Sequence, residues 1–331
     1  MKKYNNVLII NSGGGLGDTL QFLPIINFLN KELSIKKIFY FSNKNEFFFN
    51  NILKDIKPNN LHVIDFLGQG FGFKIRDIFY TRKILKKLKI KKFDLIIDNQ
   101  TRFGNSLVFK SIKHDEYISP CINYLFSKPF FFLKKEKNIV QRIVNYFEKK
   151  LKKKIYLNYN LKNFPYKYKI EAKKLLNNNN KYIGYSILAG HPTRLRNFNI
   201  NEIIKVANYF SNKFIPVFYV EKKFKKIINY IIKKVPKAYF PEFKANQRLK
   251  NPLLVTALGN ETKFNISINN GIMHMLSLSK SNLIIFFDEN SDKFKPLRKK
   301  IYSYDCKKQN TSVEKLKSHQ IINYVKTKIA L

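Results

Sequence analysis

The chain contains 331 residues, a length that suffices for two domains. Hydrophobic residues make up 44% of it and charged residues 26%, a composition that excludes an intrinsically disordered protein. No apolar stretch approaches the ~18 residues that cross a bilayer, so the sequence predicts no membrane span. The opening residues include only four consecutive apolar positions, Val7 to Ile10, which is too short for a signal peptide, and we expect a cytoplasmic protein.

The net charge of +41 comes mainly from lysine, because arginine supplies only eight of the 63 basic residues. Lysine is spread along the whole chain rather than clustered on one element, so we expect no nucleic-acid partner. An anionic surface, such as a membrane leaflet, fits this charge better. The two cysteines, Cys121 and Cys306, lie far apart in the sequence and are expected to be small apolar residues rather than a disulfide.

The first half alternates short apolar runs with segments of helical periodicity, which predicts βαβ units and a mostly parallel sheet. The predicted helices cover Leu20–Leu29 and Asp77–Leu88. The predicted strands are runs rich in β-branched or aromatic residues, namely Val7–Asn11, Lys37–Phe41, Leu61–Ile64 and Leu95–Asp98.

The second half repeats this alternation after a polar segment, Leu151–Lys181, which contains the boundary between the two predicted domains. The predicted strands are Tyr182–Ile187, Ile215–Val220, Phe264–Ile268 and Leu283–Phe287. The predicted helices are Glu202–Phe210, Lys222–Ile232, a segment after Gly271 and a terminal helix over Ser312–Ile329.

A glycine-rich turn follows the first predicted strand. It contains Gly14, Gly15 and Gly17 and ends in Asp18. It is neither the G-x-G-x-x-G nucleotide fingerprint nor a P-loop, because no Gly-Lys-Ser/Thr ending is present. Two roles remain open for Asp18: a general base at the carboxyl end of a parallel sheet, or a helix cap with Gln21 completing a capping box.

Two further motifs follow strands of the second half. The first contains Arg194 and Arg196, whose planar guanidinium groups suit phosphate oxygens, although two ordinary surface arginines would look the same. The second runs from Asn269 through Gly271 to His274, where a turn and the start of a helix suit a pyrophosphate. A histidine in this position is more often structural than catalytic.

The sequence predicts no metal site, because its five histidines and two cysteines lack the spacing of zinc ligands and no D-x-D motif occurs. The segment Tyr117–Lys137 combines aromatic residues with flanking lysines. It suits a lipid interface, and the alternative interpretation is a core strand followed by a loop.

Taken together, these motifs resemble glycosyltransferase family 9, the ADP-heptose:lipopolysaccharide heptosyltransferases, nearly from end to end. The specific parts are Gly14–Pro24, similar to the family's G-G-L-G-D-x-x-x-x-x-P, and Asn269–Met275, similar to D-S-G-P-M-H-L. Weaker matches are Lys92–Gln100, similar to Y-D-L-V-I-D-L-Q; Arg196-Asn197-Phe198 in the place of K-R-W; and Phe286–Asp292 in the place of L-F-G-P-T-D.

The resemblance implies an α/β fold of the GT-B type, with two Rossmann-like domains of mostly parallel sheets facing across a cleft. Residues 1–163 would form the acceptor-binding domain and residues 164–331 the nucleotide-sugar-binding domain, with the terminal helix free to pack back on the first. The implied reaction is an inverting, metal-independent and cofactor-free transfer of a sugar, heptose in the family, from a nucleotide-sugar donor, ADP-heptose in the family. The implied acceptor is an anionic lipopolysaccharide-type glycolipid, with peripheral contact at the cytoplasmic face of the inner membrane.

Carried over by position, Asp18 is the base that deprotonates the acceptor, with Gly14, Gly15 and Gly17 in the acceptor-side loop. The donor-binding positions are Arg194, Arg196, Glu221, Asn269, Asn270, Gly271 and His274. The chain departs from the family where Asn269 replaces an acid, Asn197 an arginine and Phe198 a tryptophan. The alternatives are therefore a GT-B transferase or epimerase that uses another nucleotide sugar, a catalytically degenerate member of the family, and a basic nucleic-acid binder.

Overall fold

A computed structural model describes residues 3–11, 15–42, 48–65, 77–159, 161, 164–177, 179–189, 197–289 and 291–330. The chain divides into two compact units, Met1–Asn158 and Tyr159–Leu331, so the division falls slightly before the boundary at 163/164 that the sequence suggests. Each unit contains a five-stranded sheet.

The first unit has a sheet in the order β3-β2-β1-β4-β5, and its strand pairs are all parallel. Its strands are β1 (Asn6–Ile10), β2 (Lys37–Ser42), β3 (Leu61–Asp65), β4 (Phe93–Asp98) and β5 (His114–Ile118). Its helices are α1 (Leu16–Leu33), α2 (Asp77–Lys87), α3 (Phe103–Lys110) and α4 (Ile139–Leu151). In the two central strands, β1 and β4, nearly every residue is buried, as expected for a parallel sheet covered on both faces.

The second unit repeats the architecture with the order β10-β9-β8-β6-β7, again with parallel pairs. Its strands are β6 (Tyr182–Ser186), β7 (Ile215–Phe218), β8 (Phe264–Ile268), β9 (Asn282–Phe287) and β10 (Ile301–Asp305). Its helices are α5 (Tyr166–Leu175), α6 (Ile200–Phe210), α7 (Lys225–Lys234), α8 (Pro241–Lys244), α9 (Pro252–Glu261), α10 (Gly271–Ser277), α11 (Ser291–Phe294) and α12 (Ser318–Lys328).

The predicted fold class is confirmed: both units are α/β with Rossmann-like parallel sheets. All eight predicted strands are present within one or two residues of their predicted ends, and the sequence did not predict the edge strands β5 and β10. The terminal helix is shorter than predicted, and its Ile321 and Val325 are buried in the core of the second unit, where α12 packs on α6.

Both cysteines are buried and unbridged, Cys121 in the first unit and Cys306 in the second, as the sequence predicted. Burial raises the pKa of the Cys306 thiol to about 12 and so keeps it protonated at neutral pH. Among the described residues, no helix combines the length and the apolar character that crossing a bilayer requires.

Candidate functional site

Each sheet has one place where the strand order reverses along the chain. In the first unit the chain builds β2 and β3 on one side of β1 and then crosses to β4 on the other. In the second unit β7 lies on one side of β6, and β8 lies on the other. Ligands of open α/β sheets bind outside the carboxyl ends of the strands at such a switch point. A site is therefore expected at the carboxyl ends of β1 and β4, called the β1/β4 edge below, and at the carboxyl ends of β6 and β8, called the β6/β8 edge.

At the β1/β4 edge, the Asp18 carboxylate is fixed to the start of α1. Gly15 is the N-cap of this helix, and its N–H donates to Asp18 Oδ2 at 3.1 Å. Asn11, directly after β1, donates from its side chain to the Asp18 carbonyl oxygen at 3.1 Å and to the Tyr40 hydroxyl at 2.6 Å. Asp18 therefore belongs to a capping interaction, but at the third helical position, where the sequence predicted Gln21. Gly15, rather than Asp18, is the N-cap.

A second carboxylate, Asp98, ends β4 and is fully buried. Its oxygens accept hydrogen bonds from the Tyr117 hydroxyl at 2.7 Å, the Ser119 hydroxyl at 3.3 Å and the Gln100 N–H at 2.9 Å. Desolvation raises the pKa of Asp98 to about 6, and the hydrogen bonds from Tyr117, Ser106, Gln100 and Ser119 limit this rise. Asp98 therefore joins the ends of β4 and β5 beside the β1/β4 edge.

At the β6/β8 edge, the Asn270 side chain ties the two strands together. Its Oδ1 accepts from the Met273 N–H at 2.8 Å and so caps α10. Its Nδ2 donates to the Ser186 hydroxyl at the end of β6 and to the Leu188 carbonyl oxygen, both at 2.9 Å. Since both ends of this amide are engaged within the protein, Asn270 positions the turn at Gly271.

The described residues on either side of 190–196 are held at this same edge. Asn197 accepts the Ala189 N–H on its Oδ1 at 2.7 Å, and the Phe198 N–H donates to the Ile187 carbonyl oxygen at 3.2 Å. Phe198 is buried, and its ring contacts Phe286 with the centroids 5.5 Å apart. The residues on both sides of the arginine motif are therefore fixed at the carboxyl end of β6.

His274 lies inside α10 and is buried. Desolvation lowers its pKa to about 4, so the imidazole is uncharged at neutral pH. An uncharged ring exchanges hydrogen bonds but supplies no positive charge, and any charge needed to balance an anion at this edge has to come from elsewhere.

The remaining predicted site residues are distributed unevenly. Gly14, Arg194 and Arg196 lie outside the described residues. Glu221, three residues beyond β7, is exposed and forms an ion pair with Lys223 at 2.7 Å. It lies after the strand adjacent to β6, on the side away from β8.

Asn269 and Gly271 flank Asn270 and are partly exposed at the β6/β8 edge, and Gly17 lies in the first turn of α1. Sequence reasoning included Asp98 and Ser186 within motifs but assigned neither a role, and it left Asn11 and Ser119 without one. The signal available for Asn11 and Asp98 was their position at the end of a predicted strand.

The described residues contain no group of three or more His, Cys, Asp or Glu side chains that could hold a metal ion. They do line a basic surface cavity of about 540 Å³ between the end of α2 and the start of β4, which includes Arg82, Lys89 and Lys92. This cavity lies at the amino end of β4, opposite the switch-point edge, and contains none of the predicted site residues.

No protein-family model matches the sequence, and no curated protein matches it in sequence. Solved structures similar to the chain include a glycosyl transferase family 9 protein from Veillonella parvula, with 15% identity, a TM-score of 0.68 and coverage of 99% of this chain and 98% of that one. The Escherichia coli heptosyltransferase WaaC with ADP has 12% identity and a TM-score of 0.67, covering 98% and 100%. A UDP-GlcNAc 2-epimerase from Neisseria meningitidis has 13% identity and a TM-score of 0.50, covering 97% and 91%.

These similarities establish the fold. The chain has the α/β fold of the glycosyltransferase family 9 structures over nearly its whole length, which is the GT-B class that the motifs suggested. The likeness to the epimerase structure is weaker.

Proposed function

We propose that this protein is a cytoplasmic, inverting and metal-independent glycosyltransferase. It transfers a sugar, heptose as the first candidate, from a nucleotide-sugar donor to a lipopolysaccharide-type glycolipid. The observation that carries the proposal is the coincidence of motif and topology: the Asp18 motif and the Asn270 motif each occupy the switch point of one sheet in a fold shared with glycosyltransferase family 9 structures. WaaC has been solved with ADP, which favours an adenine nucleotide as the first donor to test.

The acceptor is assigned to the first unit, where Asp18 is the general base. A hydroxyl becomes nucleophilic as its proton leaves, and a carboxylate within hydrogen-bonding distance takes that proton. The hydroxyl oxygen then bonds to the anomeric carbon while the bond from that carbon to the phosphate oxygen breaks. The nucleoside diphosphate leaves with the bonding electrons, and the configuration at the anomeric carbon inverts.

The donor is assigned to the second unit, at the edge held by Asn270. A diphosphate that departs without a metal needs fixed positive charge and N–H donors. Because His274 is uncharged at neutral pH, we assign the charge to Arg194 and Arg196, in the segment whose flanking residues are fixed at the end of β6. Glu221 is the candidate for the donor ribose, and Asn269 and Gly271 for contacts at the turn.

The test is a thermal-shift screen of the purified chain with ADP, UDP, GDP and CMP. A ligand present at ~100 times its dissociation constant stabilises the folded state by about 2.7 kcal/mol, which is readily measured. Arg196→Ala should weaken the binding of that nucleotide by about 1.5–3 kcal/mol, the usual range for a lost hydrogen bond to a charged group. Arg248→Ala, which removes an arginine elsewhere in the same unit, is the matched control.

The outcomes separate the proposed function from its alternatives. Nucleotide binding that Arg196→Ala leaves unchanged would move the donor site away from the arginine motif. Conversion of UDP-GlcNAc without any acceptor would identify an epimerase. Donor binding without transfer to any lipopolysaccharide-type acceptor would identify a degenerate member, and tight salt-dependent DNA binding without nucleotide binding would favour the nucleic-acid binder.

A further inference from the structure

One part of the first unit exposes large apolar side chains on a rigidly held backbone. After β5 the chain makes a tight turn in which Ile122 and Leu125 are 52% and 58% exposed, and the following segment exposes Phe130 and Phe132 at 52% and 84%. Scattered apolar side chains are ordinary at a protein surface, but a group of them within one short segment marks an interaction surface.

The turn is strained and firmly anchored. Ile122, Asn123 and Tyr124 have φ values of 44°, 51° and 69°, a left-handed run that is rare for a β-branched residue. Tyr124 is buried and donates from its hydroxyl to the Arg142 carbonyl oxygen of α4 at 2.8 Å. Such strain persists only where the surrounding structure fixes the backbone. The turn therefore already holds Ile122 and Leu125 in exposed positions, and a partner would not have to order it on binding.

The turn and the second exposed segment both pack on Tyr146 of α4. The ring of buried Tyr146 stacks on Tyr124 with the centroids 6.1 Å apart and meets Phe131 edge-on at 5.1 Å. Its hydroxyl donates to the Pro129 carbonyl oxygen at 2.6 Å. The inward-facing Tyr124 and Phe131 thus fix the two segments around one side chain, while their outward-facing neighbours remain exposed.

Positive charge accompanies these apolar side chains. Between residues 121 and 137 the chain has four lysines and one acidic residue, Glu136. Glu136 accepts the Asn138 N–H at 2.9 Å, within its own loop. The lysines are exposed, namely Lys128, Lys134, Lys135 and Lys137. Apolar and aromatic side chains flanked by lysines suit the boundary between lipid headgroups and acyl chains, and the lysines favour a leaflet that carries anionic lipid.

We propose that this docking surface, formed by Ile122, Leu125, Phe130 and Phe132 with the four lysines of residues 121–137, binds the interfacial region of a bilayer that contains anionic lipid. The binding is peripheral, because only side chains on loops enter the interface. The proposal is independent of the catalytic assignment, since vesicle binding is measured without donor or acceptor.

The docking surface begins at the carboxyl end of β5, where the Ser119 hydroxyl donates a hydrogen bond to the Asp98 carboxylate of β4 at 3.3 Å. This is the sheet edge that also carries Asp18, after β1. If the first unit takes a glycolipid, as proposed above, a membrane held by the docking surface would lie on the acceptor side of that unit.

The test uses sedimentation of the full chain with phosphatidylcholine vesicles, with and without phosphatidylglycerol. We expect binding only when phosphatidylglycerol is present, and weaker binding as salt is added. Phe130→Ser/Phe132→Ser should lower the partition coefficient about tenfold or more, because two large apolar side chains no longer enter the interface. Phe79→Ser/Tyr156→Ser, which removes two exposed aromatic residues elsewhere in the same unit, should bind like the unchanged protein.

A direct reporter is available because the chain contains no tryptophan. Phe132→Trp should show a blue shift of its emission when phosphatidylglycerol vesicles are added, while Tyr156→Trp should show none. Both substitutions are at exposed positions and should fold normally, so the reporter pair stands even if the serine double variant does not fold.

Three results would overturn the proposal: no sedimentation with phosphatidylglycerol vesicles, equal binding by the two serine double variants, or an unshifted emission from the vesicle-bound Phe132→Trp variant. A variant that loses self-association in gel filtration while keeping vesicle binding would show instead that the surface joins two copies of the chain, and would equally overturn it.

Discussion

The Asp18 carboxylate has a structural contact and a proposed chemical role, and a single substitution separates them. Asp18→Asn keeps an oxygen that can accept the Gly15 N–H but removes the basicity. We expect turnover to fall ~10²–10⁴-fold, the usual contribution of general-base catalysis, with nucleotide affinity nearly unchanged. Thermal melting and a transfer assay on the same preparation check this.

The contrasting outcome for Asp18 is equally definite. If Asp18→Asn melts well below the unchanged protein yet transfers sugar at the normal rate, the carboxylate serves only the start of α1. The general base then lies elsewhere, and the proposed mechanism is wrong.

Asp98 gives the protein a pH dependence that runs opposite to that of a salt-bridged carboxylate. Its folded pKa, raised by desolvation to about 6 from 3.8, means that the native state binds the proton more tightly than the unfolded state. The stability contribution is full below pH ~4, is lost as pH rises through ~6, and stays lost above that value. The shift corresponds to about 3 kcal/mol.

Asp98→Asn should therefore abolish this slope. The measurement is the free energy of unfolding by urea between pH ~4 and ~8 for both proteins, compared as a difference. His274 contributes a slope of opposite sign, because its lowered pKa of about 4 favours the native state as pH rises toward 6.5, but it is common to both proteins and cancels. A difference that does not change with pH would mean that Asp98 is not desolvated as described.

At the scale of elements, the Asn270 side chain joins β6, β8 and α10. Asn270→Ala removes both the cap and the two bonds to Ser186 and Leu188, and should cost about 2–3 kcal/mol of unfolding free energy. Asn270→Ser keeps a capping hydroxyl and loses only the bonds from Nδ2, so we expect about half that loss. Urea unfolding of the two variants is the measurement, and equal losses would show that the contacts between strands contribute nothing.

Asn269→Ala is the matched control for this pair, since Asn269 has no side-chain hydrogen bond within the described part of the chain. We expect it to leave the unfolding free energy within about 0.5 kcal/mol of the unchanged protein, as for most substitutions away from a specific structural contact. A reduced nucleotide affinity in Asn269→Ala alone would then report on the donor rather than on folding.

Gly184, in the middle of β6, has no room for a side chain. A Cβ there would meet the Asn265 side chain and lie 2.7 Å from the Tyr219 ring. Asn265 is held by Thr262 and Ser281, each at 2.8 Å, so it cannot move without breaking buried hydrogen bonds. Gly184→Ala should therefore cost about 3 kcal/mol, the upper range for overpacking, or prevent folding.

Gly259→Ala, in α9 of the same unit, is the comparison for Gly184→Ala. A Cβ there would lie 2.9 Å from the end of the Leu276 side chain and 3.1 Å from Ser279 Cβ, while alanine favours a helix over glycine by up to about 1 kcal/mol. We expect its melting temperature to fall clearly less than that of Gly184→Ala. Equal destabilisation by the two substitutions would contradict the tight approach described at β6.

The elements that the sequence predicted are those with a strong local signal. β1 and β9 are almost wholly buried, and continuous apolar runs such as VLII and LIIFF identify such strands. β5 and β10 were missed because their sequences, HDEYI and IYSYD, carry polar residues instead of an apolar run.

The parts of the site that lie within one short stretch of sequence were predictable. The contacts between residues far apart in the sequence were not. Asp18 and Asn270 stand out because a turn and a helix start follow a strand at each. The bond from Asn270 to Ser186 joins residues 84 positions apart, and the bond from Tyr117 to Asp98 depends on the adjacency of β4 and β5. No local pattern encodes such pairings, since they follow from the strand order.

For the molecule as a whole, the dominant physical quantity is the net charge of +41. The 63 basic residues far outnumber the 22 acidic ones, and exposed ion pairs such as Lys92–Asp115 at 2.9 Å offset little of the mutual repulsion. Self-repulsion destabilises the compact state, because unfolding moves like charges apart.

Added salt should therefore stabilise this protein. Raising NaCl from ~0.01 M to ~0.1 M shortens the Debye length from about 30 Å to about 10 Å, which screens most of the repulsion between distant lysines. We expect the melting temperature to rise by several degrees over this range and then to level off. The rise should be equal for NaCl and Na₂SO₄ at equal ionic strength if screening is the cause, whereas a larger rise with sulfate would show a further effect of that anion, either binding at a site or exclusion from the protein surface. A melting temperature that falls with NaCl would show that the ion pairs contribute more to the stability of the fold than the repulsion costs it.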